Sequence, residues 1–201
     1  MSSQQEDLTT TREIILETAL KLFSKKGYLG TTTREIAKKA GTAEVTIFRH
    51  FTSKEKLFEE VINKHSFLPA LQGLLPEVAE MPYTEALTVI AKRFLDTLTI
   101  RKDIIKIMHS EIQRYPEKIH KIYHAFIDEI FKTLASYFTT MQKKGILREL
   151  HSEVAARAFL GMIFSYFDAE EFLIRKKYRI DNSDTIIKEF VDIFASGTIK
   201  Q

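Results

Sequence analysis

The stretch from Thr32 to Lys54, TTREIAKKAGTAEVTIFRHFTSK, constrains the fold more than any other part of the chain. It reads as two short helices joined by a tight turn. Ala37, Gly41 and Ile47 stand at intervals of four and six residues. A small residue at the first position lets two helices cross closely, and glycine at the second supplies the positive φ of a short turn. Ile47 then packs the second helix back on the first. Thr32 and Glu35 form a capping box ahead of the first helix, satisfying orphan N–H groups there. Thr42 is the expected N-cap of the second.

The rest of the chain also reads as helix. An opening helix is expected over about 12–26, with Thr10 and Glu13 as its capping box. Ile15, Ala19, Leu22 and Phe23 form its apolar stripe, and Gly27 suits the position after its end. Residues 1–9 are polar and are expected as a disordered arm. A fourth helix follows Ser53, its N-cap, with Leu57, Phe58, Val61 and Ile62 facing inward. Pro69, Gly73, Pro76 and Pro82 cluster within fourteen residues, so head should give way to body in or just before them. Further helices are expected over about 84–99, 102–114, 116–144, 152–175 and 184–195. Pro116 opens the third of these and Gly145 closes it, while Asp181 or Ser183 caps the last. No segment alternates as a strand would, so the fold class is all-α.

Composition narrows the function. The absence of Cys removes disulfides, thiol catalysis and Cys-ligated zinc together, and fits a reducing cytoplasm. No apolar run approaches the ~20 residues of a membrane span, and the start lacks the pattern of a signal peptide. A cytoplasmic protein with no membrane partner is expected. There is no G-x-S-x-G, Walker-type phosphate loop, G-x-G-x-x-G or H-E-x-x-H, so neither an enzyme nor a cofactor is expected. His120 and His124 share a helix face, but a zinc site needs a third ligand, and no metal is expected. Charge is more telling. From Lys21 to Lys56 there are nine Lys and Arg against three Glu, a local excess of +6 on a chain of net +3. A basic head on a slightly acidic body is the electrostatic footprint of a small DNA-reading domain.

Phe48-Arg49-His50-Phe51, followed by Thr52-Ser53-Lys54-Glu55-Lys56-Leu57-Phe58, resembles the end of the DNA-binding domain of the TetR (tetracycline-repressor) family. Phe23-Ser24-Lys25-Lys26-Gly27-Tyr28, with Thr31-Thr32-Thr33 after it, looks like that family's first helix and its exit. The resemblance covers about Arg12 to Phe58; beyond it only length, helix content and layout agree. It implies an N-terminal three-helix head with a helix-turn-helix, over 10–53, and a larger C-terminal helical domain, 54–201, for effector binding and dimerisation. The implied function is a dimeric transcriptional regulator, expected as a repressor, released from a palindromic DNA operator by a small hydrophobic ligand. The alternative is a chromosome-organisation or cell-division factor that binds DNA without an effector.

The second helix of such a motif enters the major groove. Ala43, Glu44 and Thr46 lie opposite the Ile47/Phe51 side and are the expected base readers. Glu44 would accept from a cytosine amino group; the Thr46 methyl would touch thymine, or its hydroxyl a phosphate. By resemblance, Arg34 reaches a base, Thr33 and Lys54 hold phosphate at helix starts, His50 contacts the DNA backbone, and Arg49 joins the DNA set. Where the family usually has Tyr this chain has Phe48, which cannot donate to a phosphate and is expected against a sugar or a thymine methyl. The resemblance also points to the last two helices as the dimer interface, through Ala155, Ala158, Phe159, Met162, Tyr166, Ile187, Phe190, Val191 and Phe194. Phe67, Phe94, Met108, Ile112, Phe126 and Ile130 are the expected effector lining, suited to an apolar ligand.

Overall fold

The computed structural model describes residues 2–173 and 182–200, and every regular element among them is helical. The chain divides into two compact units, Met1–His65 with Asp103–Phe126, and Ser66–Lys102 with Ile127–Gln201. The expected head, 10–53, falls inside the first.

In the first unit α1 (Ser2–Lys26) begins about ten residues ahead of its expected start, so the polar arm is helical and Thr10 lies within the helix. Gly27 ends it with φ 73°. Helices α2 (Thr33–Ala40), α3 (Glu44–Phe51) and α4 (Lys54–His65) follow. The Ser53 hydroxyl caps α4 by accepting the Lys56 N–H at 3.2 Å. Helix α7 (Lys102–Glu111), a single 3₁₀ turn at Ile112–Arg114, and the first residues of α8 (Glu117–Lys143) return to this unit. One core joins them: Ile15, Ala19, Phe23, Ile36, Ile47, Phe51, Leu57 and Phe58 pack with Ile104, Met108, Tyr115 and Ile119. Phe23 and Tyr28 both meet the Phe58 ring edge-on, at 5.2 and 5.0 Å. Each apolar side chain fully removed from water contributes about 1.5–3 kcal/mol before the entropy of ordering it is subtracted.

The second unit holds α5 (Phe67–Val78), α6 (Tyr83–Ile100), the remainder of α8, α9 (Ser152–Asp168) with a π turn over Ala169–Leu173, and α10 (Ser183–Thr198). Most of the segment rich in helix breakers is therefore a helix. Ser66 caps α5, and Pro69 sits in its first turn, where a missing N–H forfeits no bond. Pro76 falls near the other end. Asn182, in place of the expected Asp181 or Ser183, caps α10 by accepting the Thr185 N–H at 3.1 Å. Ser183 is the first helical residue, and Asp181 lies outside the described residues. Phe138, Phe159 and Phe194 form the centre of this unit, with ring centroids 5.0–6.4 Å apart. Tyr83 and Thr198 hydrogen-bond through their hydroxyls at 3.1 Å. No described helix is long and apolar enough to cross a membrane.

Candidate nucleic-acid interface

Helix α2 starts where the Thr32 side chain accepts the Glu35 N–H at 3.1 Å. The Glu35 carboxylate does not complete the capping box: it accepts from the Lys26 ammonium at 2.7 Å, and this hydrogen bond holds its pKa below the usual value. Gly41 turns the chain with φ 68°, and the Thr42 N–H donates to the Ala37 carbonyl at 3.0 Å. The N-cap of α3 is Ala43, whose methyl cannot accept a hydrogen bond, so Thr42 does not cap this helix. A tie between side chains fixes this corner instead. The Thr33 hydroxyl, at the start of α2, donates to the Glu44 carboxylate, at the start of α3, at 2.6 Å.

Ile47 and Phe51 anchor α3, both at 1% exposure or less. With that side buried, Glu44, Thr46 and His50 are half-buried, and the outward residues are Ala43, Val45, Phe48 and Arg49. Of the three expected base readers, only Ala43 is fully outward. Glu44 is engaged by Thr33. Val45, at 73% exposure, was not among the expected readers: a β-branched apolar residue in a short helix carries no periodic signal of its own.

Around this face the cations differ in freedom. Arg34, Lys38 and Arg49 are exposed. The Lys54 ammonium lies 4.1 Å from the centroid of the Tyr28 ring, and burial lowers its pKa. Arg12 stacks on the Phe51 ring at 5.2 Å and pairs with Glu60. The His50 Nε2 is buried without a hydrogen-bond partner; burial first, then the Arg49 and Arg12 cations, depress its pKa. Thr52, between α3 and α4, takes φ 41°, a left-handed conformation unusual for a β-branched residue.

The other candidate residues fall as follows. Phe159, Ile187, Val191 and Phe194 are at most 8% exposed, and Ala155 is at 9%, so these five are buried within the chain itself. Ala158 is exposed, and Met162, Tyr166 and Phe190 are half-buried. Val154 and Ile193, at 60% and 62% exposure, extend that outer face. The effector set divides between the units. Phe67, Phe94 and Ile130 are buried in the second, where the Phe67 and Phe94 rings lie 4.8 Å apart. Met108 is buried in the core of the first, with Ile112 and Phe126 packed against that core. The imidazoles of His120 and His124 stack at 6.3 Å, and among the described residues no group of three His, Asp or Glu could hold a metal ion.

Comparison with known proteins agrees with this geometry. Residues 15–61 match the family described as bacterial regulatory proteins, tetR family, and residues 85–196 match the AefR-like transcriptional repressor, C-terminal domain. The uncharacterised HTH-type transcriptional regulator YvkB of Bacillus subtilis is 36% identical over 157 residues, which span 78% of this chain and 81% of that protein. The HTH-type transcriptional repressor KstR2 of Rhodococcus jostii is 25% identical over 193 residues, 92% of this chain and 90% of KstR2. The solved structure of NalD, the secondary repressor of the MexAB-OprM multidrug efflux pump in Pseudomonas aeruginosa, superposes with a TM-score of 0.68 at 21% identity, covering 97% of this chain and 98% of its own. The chain belongs to the TetR family, whose members are DNA-binding transcriptional regulators and not enzymes.

Proposed function

We propose that this chain is a homodimeric repressor that leaves a palindromic operator when a small hydrophobic ligand binds its body. The observation that carries the DNA half is the outward face of α3, held by buried Ile47 and Phe51 and flanked by the exposed Arg34 and Arg49. Repression is supported by the match of residues 85–196 to a repressor domain and by the likeness to KstR2 over nearly the whole chain. Dimerisation is supported by the outer face of α9 and α10, where Val154 and Ile193 are exposed beside Ala158 and Tyr166. One short α3 reads few base pairs; a two-fold pair reads two half-sites about one helical turn, ~34 Å, or a multiple apart. The buried aromatic pair Phe67 and Phe94, with ring centroids 4.8 Å apart in the second unit, supports an apolar effector.

Selection of the purified protein on random duplex DNA tests this. The expected result is an enriched palindrome that is lost on Arg34→Ala, while Lys54→Ala weakens all sequences alike and lowers the salt slope by about one. Lipophilic compounds should then release the operator, and release by hydrophilic compounds alone would refute the apolar effector.

A further inference from the structure

We infer that this regulator reads its operator chiefly through thymine methyl groups, with Val45 and Phe48 as the specificity-determining residues. The inference rests on the DNA-binding reading of the first unit and deepens it. Three of the four outward residues at α3, namely Ala43, Val45 and Phe48, are apolar; only Arg49 is charged. Val45 is 73% exposed and Phe48 43%. Standing three residues apart on one helix, they share a face. Among the described residues that face is left largely open at Val45 and partly open at Phe48, so two apolar side chains meet water within a stretch carrying a local charge of +6. The charge commits the occupant to a polyanion.

In the major groove the C5-methyl of thymine is the one apolar group that a base edge presents; every other feature is a hydrogen-bond donor or acceptor. An apolar face therefore gains contact area over thymine. Over cytosine or guanine the same face meets polar groups without a methyl, so it gains less apolar contact there. Glu44, the carboxylate that would reward cytosine, is held by the Thr33 hydroxyl at 2.6 Å. Phe48 also explains its departure from Tyr: a ring without a hydroxyl gives up a phosphate contact and keeps the apolar one.

The experiment replaces each thymine of the selected operator in turn with deoxyuridine, which deletes only the methyl and keeps the pairing. At one or two positions per half-site, affinity should fall roughly four-fold, the burial of one methyl. The loss should vanish in Val45→Ala or Phe48→Ala, whose unchanged circular dichroism would show intact folding, as expected for exposed side chains. A selected operator whose uridine variants all bind like the parent would overturn the inference and leave the proposed function standing. So would uridine losses that persist in both variants. Failure to enrich any sequence would overturn the proposed function and this inference with it.

Discussion

Replacing Gly27 with alanine should destabilise the first unit by about 2.5–5 kcal/mol, through two separable causes. Gly27 has φ 73°, which costs a residue bearing a Cβ about 1–2 kcal/mol. An added Cβ would also stand 2.3 Å from the Glu111 carboxylate oxygens, well inside van der Waals contact. That carboxylate is the end of a flexible side chain and can withdraw, but it accepts the Tyr28 N–H at 3.0 Å. Losing a hydrogen bond to a charged group costs about 1.5–3 kcal/mol. Urea unfolding followed by circular dichroism would measure the sum, and a second background would separate its parts. In Glu111→Ala the hydrogen bond and the obstruction are both absent, so Gly27→Ala should there cost only the conformational share, about 1–2 kcal/mol. Equal costs in the two backgrounds would refute the argument, because the penalty would then owe nothing to Glu111.

Two further outcomes are expected. Ile193→Glu, at a site 62% exposed, should leave the helical spectrum unchanged and shift sedimentation from dimer to monomer; a persisting dimer would place the interface elsewhere. Because His50 has a lowered pKa when folded, the unfolded chain binds its proton more tightly; its contribution is complete above about 6.5 and is lost as pH falls below that value. His50→Gln should therefore flatten the decline in stability between roughly pH 7 and 5.5, and an unaltered slope would refute the assignment.

What could be read in the sequence was local. Gly27, Thr32, Gly41 and Ser53 act within a few residues of themselves, and each takes the conformation or hydrogen bond that its type favours. Thr42 misled because Ala43, one residue later, takes the cap position despite having no oxygen to offer. The second unit begins at Ser66, just ahead of the proline-rich stretch, while most of that stretch is itself the helix α5, with Pro69 in its first turn and Pro76 inside it. On α9 and α10, apolar residues occupy both the inner and the outer faces, so spacing alone does not divide them. Burial separates Phe159 and Val191, which are core, from Val154 and Ile193, which are not. Nor does periodicity show that Thr33 and Glu44, eleven residues apart, would be bonded to each other.

The first unit is made of two stretches of chain, closed by residues 103–126 after an excursion of 37 residues given to the second. This sets an order of events during synthesis. When the ribosome has released the first 65 residues, α1 to α4 exist, but Ile104, Met108, Tyr115 and Ile119 do not yet cover their shared core. At about 5–20 residues per second the missing segment arrives roughly 3–12 s later. Through that interval the nascent head carries exposed apolar surface around Phe23 and Phe58, a surface for a chaperone to hold. A gene fragment ending at His65 would leave that surface without Ile104, Met108, Tyr115 and Ile119 to cover it.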